Sequence, residues 1–146
     1  MERNTNMIIA VDFDGTCVTH DFPRIGKDIG AIPILKRLVK RGHKLILFTM
    51  RSDIENPTSD DYNILPQGGT YLTDAVNWFK ENGIELFGIN ENPDQKSWTN
   101  SPKPYAHLYI DDAAFGCPLI VDGRISKRPF VNWDDISSTL KSLDLI

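Results

Sequence analysis

An apolar run that ends on two aspartates, IIAVDFDGTCV at residues 8–18, constrains this chain more than any other stretch. Ile8, Ile9, Ala10 and Val11 read as a short strand buried on both faces, the continuous apolar kind that parallel sheets use. Asp12 and Asp14 follow two apart, so extended backbone turns both side chains to one side. Gly15 lets the chain turn sharply just after them. Two carboxylates at the end of a buried strand repel each other and are costly to desolvate, so the pattern calls for a compensating cation.

A parallel sheet needs crossover helices, and the spacing of apolar residues supplies them. A helix is predicted over 31–41, with Ala31, Leu35, Leu38 and Val39 on one face, Pro33 in its first turn and Gly42 closing it. A second is predicted over 71–82, where Leu72, Ala75, Val76 and Phe79 recur at helical spacing and Gly83 ends it. Apolar strands are predicted at 45–49, 84–90 and 106–110, the last running into Asp111 and Asp112. The tail reads as a hairpin over 119–126 turned at Asp122 and Gly123, then a helix capped by Asn132 that buries Trp133, Ile136, Leu140 and Leu143. Strand and helix alternate through the first three-quarters, which implies one α/β domain over 1–146 with a parallel sheet covered on both faces.

Composition narrows the function classes. The 146 residues carry 40% hydrophobic and 25% charged side chains, as expected of a soluble globular protein. A net charge of -4 argues against a general nucleic-acid binder, which needs a basic surface. No apolar run approaches membrane-spanning length, and the first residues lack the apolar core of a signal peptide. Cys17 and Cys117 form neither a disulfide framework nor a metal pattern; free thiols and a cytoplasmic location are expected.

Ligands of open α/β sheets bind outside the carboxyl ends of the strands. Asp12 and Asp14, Thr49, and Asp111 with Asp112 all fall at such ends. An oxygen-rich cluster of this type suits a hard cation such as Mg²⁺, which in turn attracts a phosphate. Arg51 and Lys103 are the cations near in sequence, and Lys96 shares a loop with Lys103. His20, His43 and His107 show no ligand spacing, and Cys17, beside the aspartates, has no neighbouring base and reads as packing.

DFDGT at residues 12–16 resembles the first motif, DxDx[TV], of the haloacid-dehalogenase-like phosphohydrolases. Thr49 at the end of LILFT fits the second motif, Lys103 the third with Lys96 in the same loop as the alternative, and YIDD ending on Asp111 and Asp112 the acidic fourth. The four occur in the family's order across residues 8–112. The resemblance implies a three-layer Rossmann-like domain and a magnesium-dependent phosphatase, a phosphoric monoester hydrolase. Asp12 would be the nucleophile forming an aspartyl-phosphate, and Asp14 the acid and then the base. Thr49 and Lys103 would hold the phosphoryl group, with Arg51 a candidate substrate contact. Mg²⁺ would be bound by the Asp12 carboxylate, the Asp14 backbone carbonyl, Asp111 and Asp112.

Neither 17–44 nor 50–102 has room for the cap domain of larger members, so a capless member with an open site is expected. The loop 52–69 is the candidate for a small lid, and Trp98 for a nearby aromatic surface. A small phosphorylated metabolite is the expected substrate, with no membrane partner and with self-association as one way to complete the site. A 3′-phosphatase acting on nucleic-acid ends and a non-catalytic phosphoryl-binding subunit are the alternatives. A receiver domain would carry its acidic pair after the first strand and its lysine after the last, the reverse of the order here. A nucleotide switch would need GxxxxGK[ST], which is absent. Ala113 follows the acidic pair where short relatives often carry arginine.

Overall fold

A computed structural model of the chain describes residues 6–54 and 69–146. In chain order its elements are β1 (Ile8–Val11), α1 (Ala31–Lys40), β2 (Lys44–Leu47), β3 (Asp53–Ile54), β4 (Gly69–Thr70), α2 (Tyr71–Glu81), β5 (Gly88–Ile89), β6 (Leu108–Ile110), β7 (Leu119–Ile120), β8 (Phe130–Val131) and α3 (Trp133–Ser142). A short 3-10 turn, Gln95–Ser97, interrupts the connection from β5 to β6.

The central sheet is all parallel, in the order β5-β2-β1-β6. From β1 the chain steps outward through α1 to β2 and through α2 to β5. It then returns across the sheet to place β6 on the far side of β1. This is the reversal of direction that opens a crevice at strand ends, and the carboxyl ends of β1 and β6 lie side by side there. The fold is α/β and Rossmann-like.

Pleating sorts the strand residues into two faces. Ile9, Val11, Leu45, Leu47 and Ile110 pack with Leu35 and Leu38 of α1, Ala75 and Phe79 of α2, and Trp133 and Leu140 of α3. Each fully buried apolar side chain in this layer contributes roughly 1.5–3 kcal/mol. The opposite face carries a smaller cluster, Ala10, Ile46 and Ala106, flanked by Ile8 and Phe87. The three α-helices among the described residues therefore sit on one face. The third layer is the irregular 90–107 connection, which stacks Trp98 on Tyr105 and Tyr105 on His107.

Several predicted boundaries move for identifiable reasons. The strand expected over 45–49 stops at Leu47, because the Thr49 N–H leaves the ladder and donates to Asn90 Oδ1 at 2.8 Å. In 84–90 only Gly88 and Ile89 pair, since the Ile84 N–H is used in closing α2 on the Phe79 carbonyl. The tail hairpin is not turned at Asp122 and Gly123. Leu119–Ile120 pairs antiparallel with Phe130–Val131 instead, which leaves 121–129 as a long connection. Asn132 caps α3 as expected, its side chain accepting from the Asp135 N–H. Leu143 lies past the helix end and is 54% exposed, while Leu145, at 4%, fills the core position.

Two histidines are structural. His43 Nδ1 accepts from the Met7 N–H, so its Nε2 carries the proton and donates to the Leu145 carbonyl, joining the two ends of the chain. His107 Nδ1 accepts from the Ile8 N–H at the start of β1. No helix among the described residues is long and apolar enough to cross a membrane.

Candidate functional site

The turn after β1 is built on one carbonyl. Phe13 O accepts from the N–H groups of Thr16 (3.1 Å), Cys17 (2.8 Å) and Val18 (3.4 Å), while Gly15 N donates to Val18 O at 2.7 Å. Phe13 itself turns into the core against Trp78 and Phe79. The residues on either side, Asp12 and Asp14, consequently line a crevice of about 510 Å³ together with Thr49, Asp111 and Asp112. Gly15 has φ 81°, and a Cβ there would run into the His20 ring and the Asp112 carboxylate. Glycine is required by both the backbone and the space.

Asp12, Asp111 and Asp112 each offer a carboxylate oxygen within 4.8 Å of the others. The Thr16 hydroxyl, fully buried, lies between them. It donates to Asp12 Oδ2 at 2.9 Å, stands 3.3 Å from Asp112 Oδ1, and accepts from the Asp112 N–H at 3.0 Å. Burial first, and the Asp111 charge second, push the Asp12 carboxyl up to about 8. Asp111 is raised as well, mainly by burial. Burial also works against Asp112, but hydrogen bonds from His20 and with Asp12 outweigh it and hold Asp112 below its ordinary value. His20 Nε2 sits 2.8 Å from Asp112 Oδ2. Three hard oxygen donors crowded at unfavourable energy fit a small divalent cation, whose charge would relieve the repulsion.

Arg51, the candidate substrate contact, lines the crevice with its donors committed to protein partners. Its side chain is 1% exposed and all five of its N–H groups are used. Nε and NH2 donate to the two Asp14 oxygens at 2.8 Å each, and the remaining donors reach the carbonyls of Pro23, Tyr71 and Arg24. The guanidinium also lies 5.0 Å from the ring centroids of both Phe13 and Phe22. Arg51 thus fastens Asp14 to the 22–24 segment and to the start of α2. Arg51→Ala would strand the half-buried Asp14 carboxylate and three carbonyls and is expected to cost about 3 kcal/mol, with Arg51→Lys intermediate. Urea unfolding measures this, and an unchanged midpoint would refute the clamp.

Thr49 lines the crevice at the end of β2, its hydroxyl accepting from the Arg51 N–H at 3.1 Å. Lys103 and Lys96 do not line the crevice. Lys103 Nζ lies 5.1 Å from the Tyr109 ring centroid, beside a second hollow that Tyr109 shares with Asp12 and Asp111. Lys96 lines a polar depression formed by 90–102. Trp98 belongs to that connection and does not face the site. In the candidate lid 52–69, residues 55–68 lie outside the described residues. Cys17 is buried packing, its Sγ 3.3 Å from the Asp12 carbonyl.

Four contributions were not read from the sequence: Thr16 as the hub between two aspartates, His20 on Asp112, Asn90 closing the end of β2, and the C-terminal segment. Thr16 stands inside the motif, which is a usable signal. The others depend on contacts over 41 or more positions. The tail forms a wall of the site: Val131 N donates to Gly15 O at 3.0 Å, and the Trp133 indole N–H to Thr16 O at 2.6 Å.

Fold and site together define a Rossmann-like α/β protein with a carboxylate centre where β1 and β6 end. No family model and no curated protein match the chain. It is similar to a solved structure of a conserved protein coded by a locus from Bacteroides thetaiotaomicron, with 31% identity and a TM-score of 0.68 over 94% of this chain and 92% of that one. The chain belongs to the same family as that protein.

Proposed function

We propose that this protein is a capless, magnesium-dependent phosphatase of the haloacid-dehalogenase-like type, hydrolysing a phosphate monoester through an aspartyl-phosphate. The observation that carries the reading is Asp12 clustered with Asp111 and Asp112 at adjoining strand ends, with Asp14 in the same crevice. Asp12, Asp111 and Asp112 would hold Mg²⁺, with the Asp14 carbonyl a further ligand from the family resemblance. The ion would supply positive charge to offset the carboxylates and the phosphoryl oxygens.

The chain's own groups then divide the work. Thr16 occupies Asp12 Oδ2, leaving the other oxygen to attack phosphorus. As the Oδ1–P bond forms, the ester P–O bond breaks and the leaving oxygen takes a proton from Asp14. Asp14 later accepts a proton from the water that attacks phosphorus, which releases phosphate and restores the Asp12 carboxylate. Because both Asp14 oxygens are bonded to Arg51, one of those hydrogen bonds must open for each transfer. Arg51 retains three backbone carbonyls while it does so. Thr49, which lines the crevice, would hold phosphoryl oxygens, and Lys103 would join it only by leaving the Tyr109 ring. The crevice and the net charge of -4 favour a small phosphorylated metabolite over nucleic acid.

The test is phosphate release from p-nitrophenyl phosphate and a panel of natural esters. Mg²⁺ is expected to support turnover, a chelator to abolish it, and Ca²⁺ to substitute poorly because its looser coordination misplaces the nucleophile. Full activity in chelator, or none on any ester with Mg²⁺, would overturn the reading.

A further inference from the structure

The crevice has two arginines in its lining, and they differ completely. Arg51 is buried with every donor occupied, whereas Arg128 is exposed and has no hydrogen bond or ion pair among the described residues. Arg128 belongs to the 121–129 connection, three residues before the point where Val131 bonds to Gly15. The C-terminal wall therefore brings a free guanidinium to the site without committing it to any carboxylate. Phe22, 44% exposed, and Met50, 97% exposed, line the same crevice and offer apolar surface. Asp12, Asp111 and Asp112 instead form the acidic centre where the reacting group would be held.

We propose that Arg128 binds a second anionic group, carboxylate or phosphate, at the far end of a substrate whose middle is apolar. The inference rests on the phosphatase reading and names its substrate class: a phosphate monoester with a terminal anion. A guanidinium recognises both anions by paired N–H donors. The apolar spacer would lie against Phe22 and Met50, and the reacting phosphoryl at Asp12. A neutral ester would leave Arg128 solvated and lose that contact, so Arg128 is a specificity residue.

The experiment compares kcat/KM, with Mg²⁺ present, for aryl phosphates that bear a carboxylate, a second phosphate or a neutral methyl ester on a short chain. The wild-type protein is expected to favour at least one anionic ester over the methyl ester by about tenfold, mostly through KM; this corresponds to about 1.4 kcal/mol. Arg128→Ala is expected to erase the preference and Arg128→Lys to keep part of it. Arg124→Ala, in the same connection but paired with Asp122, should keep all of it. The preferred arm tells carboxylate from phosphate. Equal turnover of all three esters by the wild type, or a parallel loss on all three in Arg128→Ala, overturns this inference alone. No phosphate release from any ester, p-nitrophenyl phosphate included, overturns the phosphatase reading and this inference with it.

Discussion

Asp12→Asn is expected to abolish phosphate release, by about four orders of magnitude or more, the scale of removing a covalent nucleophile. The substitution keeps the side chain's shape and can keep the hydrogen bond from Thr16, so the fold should survive. It also removes one of three crowded carboxylates, so the metal-free variant should melt no lower than the wild type, and higher at alkaline pH. Asp14→Asn should behave differently. Attack on esters with good leaving groups needs little acid assistance, so phosphorylated enzyme should accumulate while its hydrolysis slows. Rapid-quench trapping of the phosphoenzyme separates the two variants. Wild-type turnover by Asp12→Asn would refute the nucleophile.

The second large effect couples metal, proton and stability. Asp12 titrates near 8 in the folded metal-free protein, against an ordinary 3.8. The folded state therefore holds this proton more tightly than the unfolded state does. Its favourable contribution is complete below about pH 4 and is lost as pH rises to about 8. Asp111, also raised, acts in the same direction, while Asp112, lowered, gives stability that is lost as pH falls. A divalent cation competes with the Asp12 proton, so apparent Mg²⁺ affinity should rise about tenfold per pH unit up to about pH 8. Calorimetric titration at pH 6, 7 and 8 measures that slope. Thermal melts add a second check: Mg²⁺ should raise the melting temperature far more at pH 8 than at pH 5. A flat affinity over this range would show that Asp12 does not bind the ion.

The elements most legible in the sequence were those whose residues answer to their immediate neighbours. β1 occupies residues 8–11 as the apolar run predicts, and α1 and α2 end within one residue of expectation. Both helices close on a carbonyl exchange around Gly42 and Gly83: Gly42 N to Val39 O with His43 N to Leu38 O, and Gly83 N to Lys80 O with Ile84 N to Phe79 O. Asn132 capping α3 is a contact of three positions. The pairing of Asp12 with Asp14 on one side, and of Asp111 with Asp112 after the last sheet strand, likewise follows from two-residue periodicity and strand-end placement.

Burial and long-range partnership were decided elsewhere. Arg51 looked free in sequence, yet it became the most completely bonded cation of the site once α2 and the 22–24 segment closed over it. Arg128 was not singled out in the sequence, and β7 pairing with β8 carried it to the crevice. The second face of the sheet is covered by the irregular 90–107 connection, with no helix packed there among the described residues. The sequence by itself determined that carboxylates gather at the ends of β1 and β6, because apolar runs, turns and carboxylate spacing act over a few positions. Which charges are spent on one another and which stay free for a substrate was settled only by the tertiary structure. Desolvation and pairing depend on distance in space, and here those partners lie 20 to 117 positions apart along the chain.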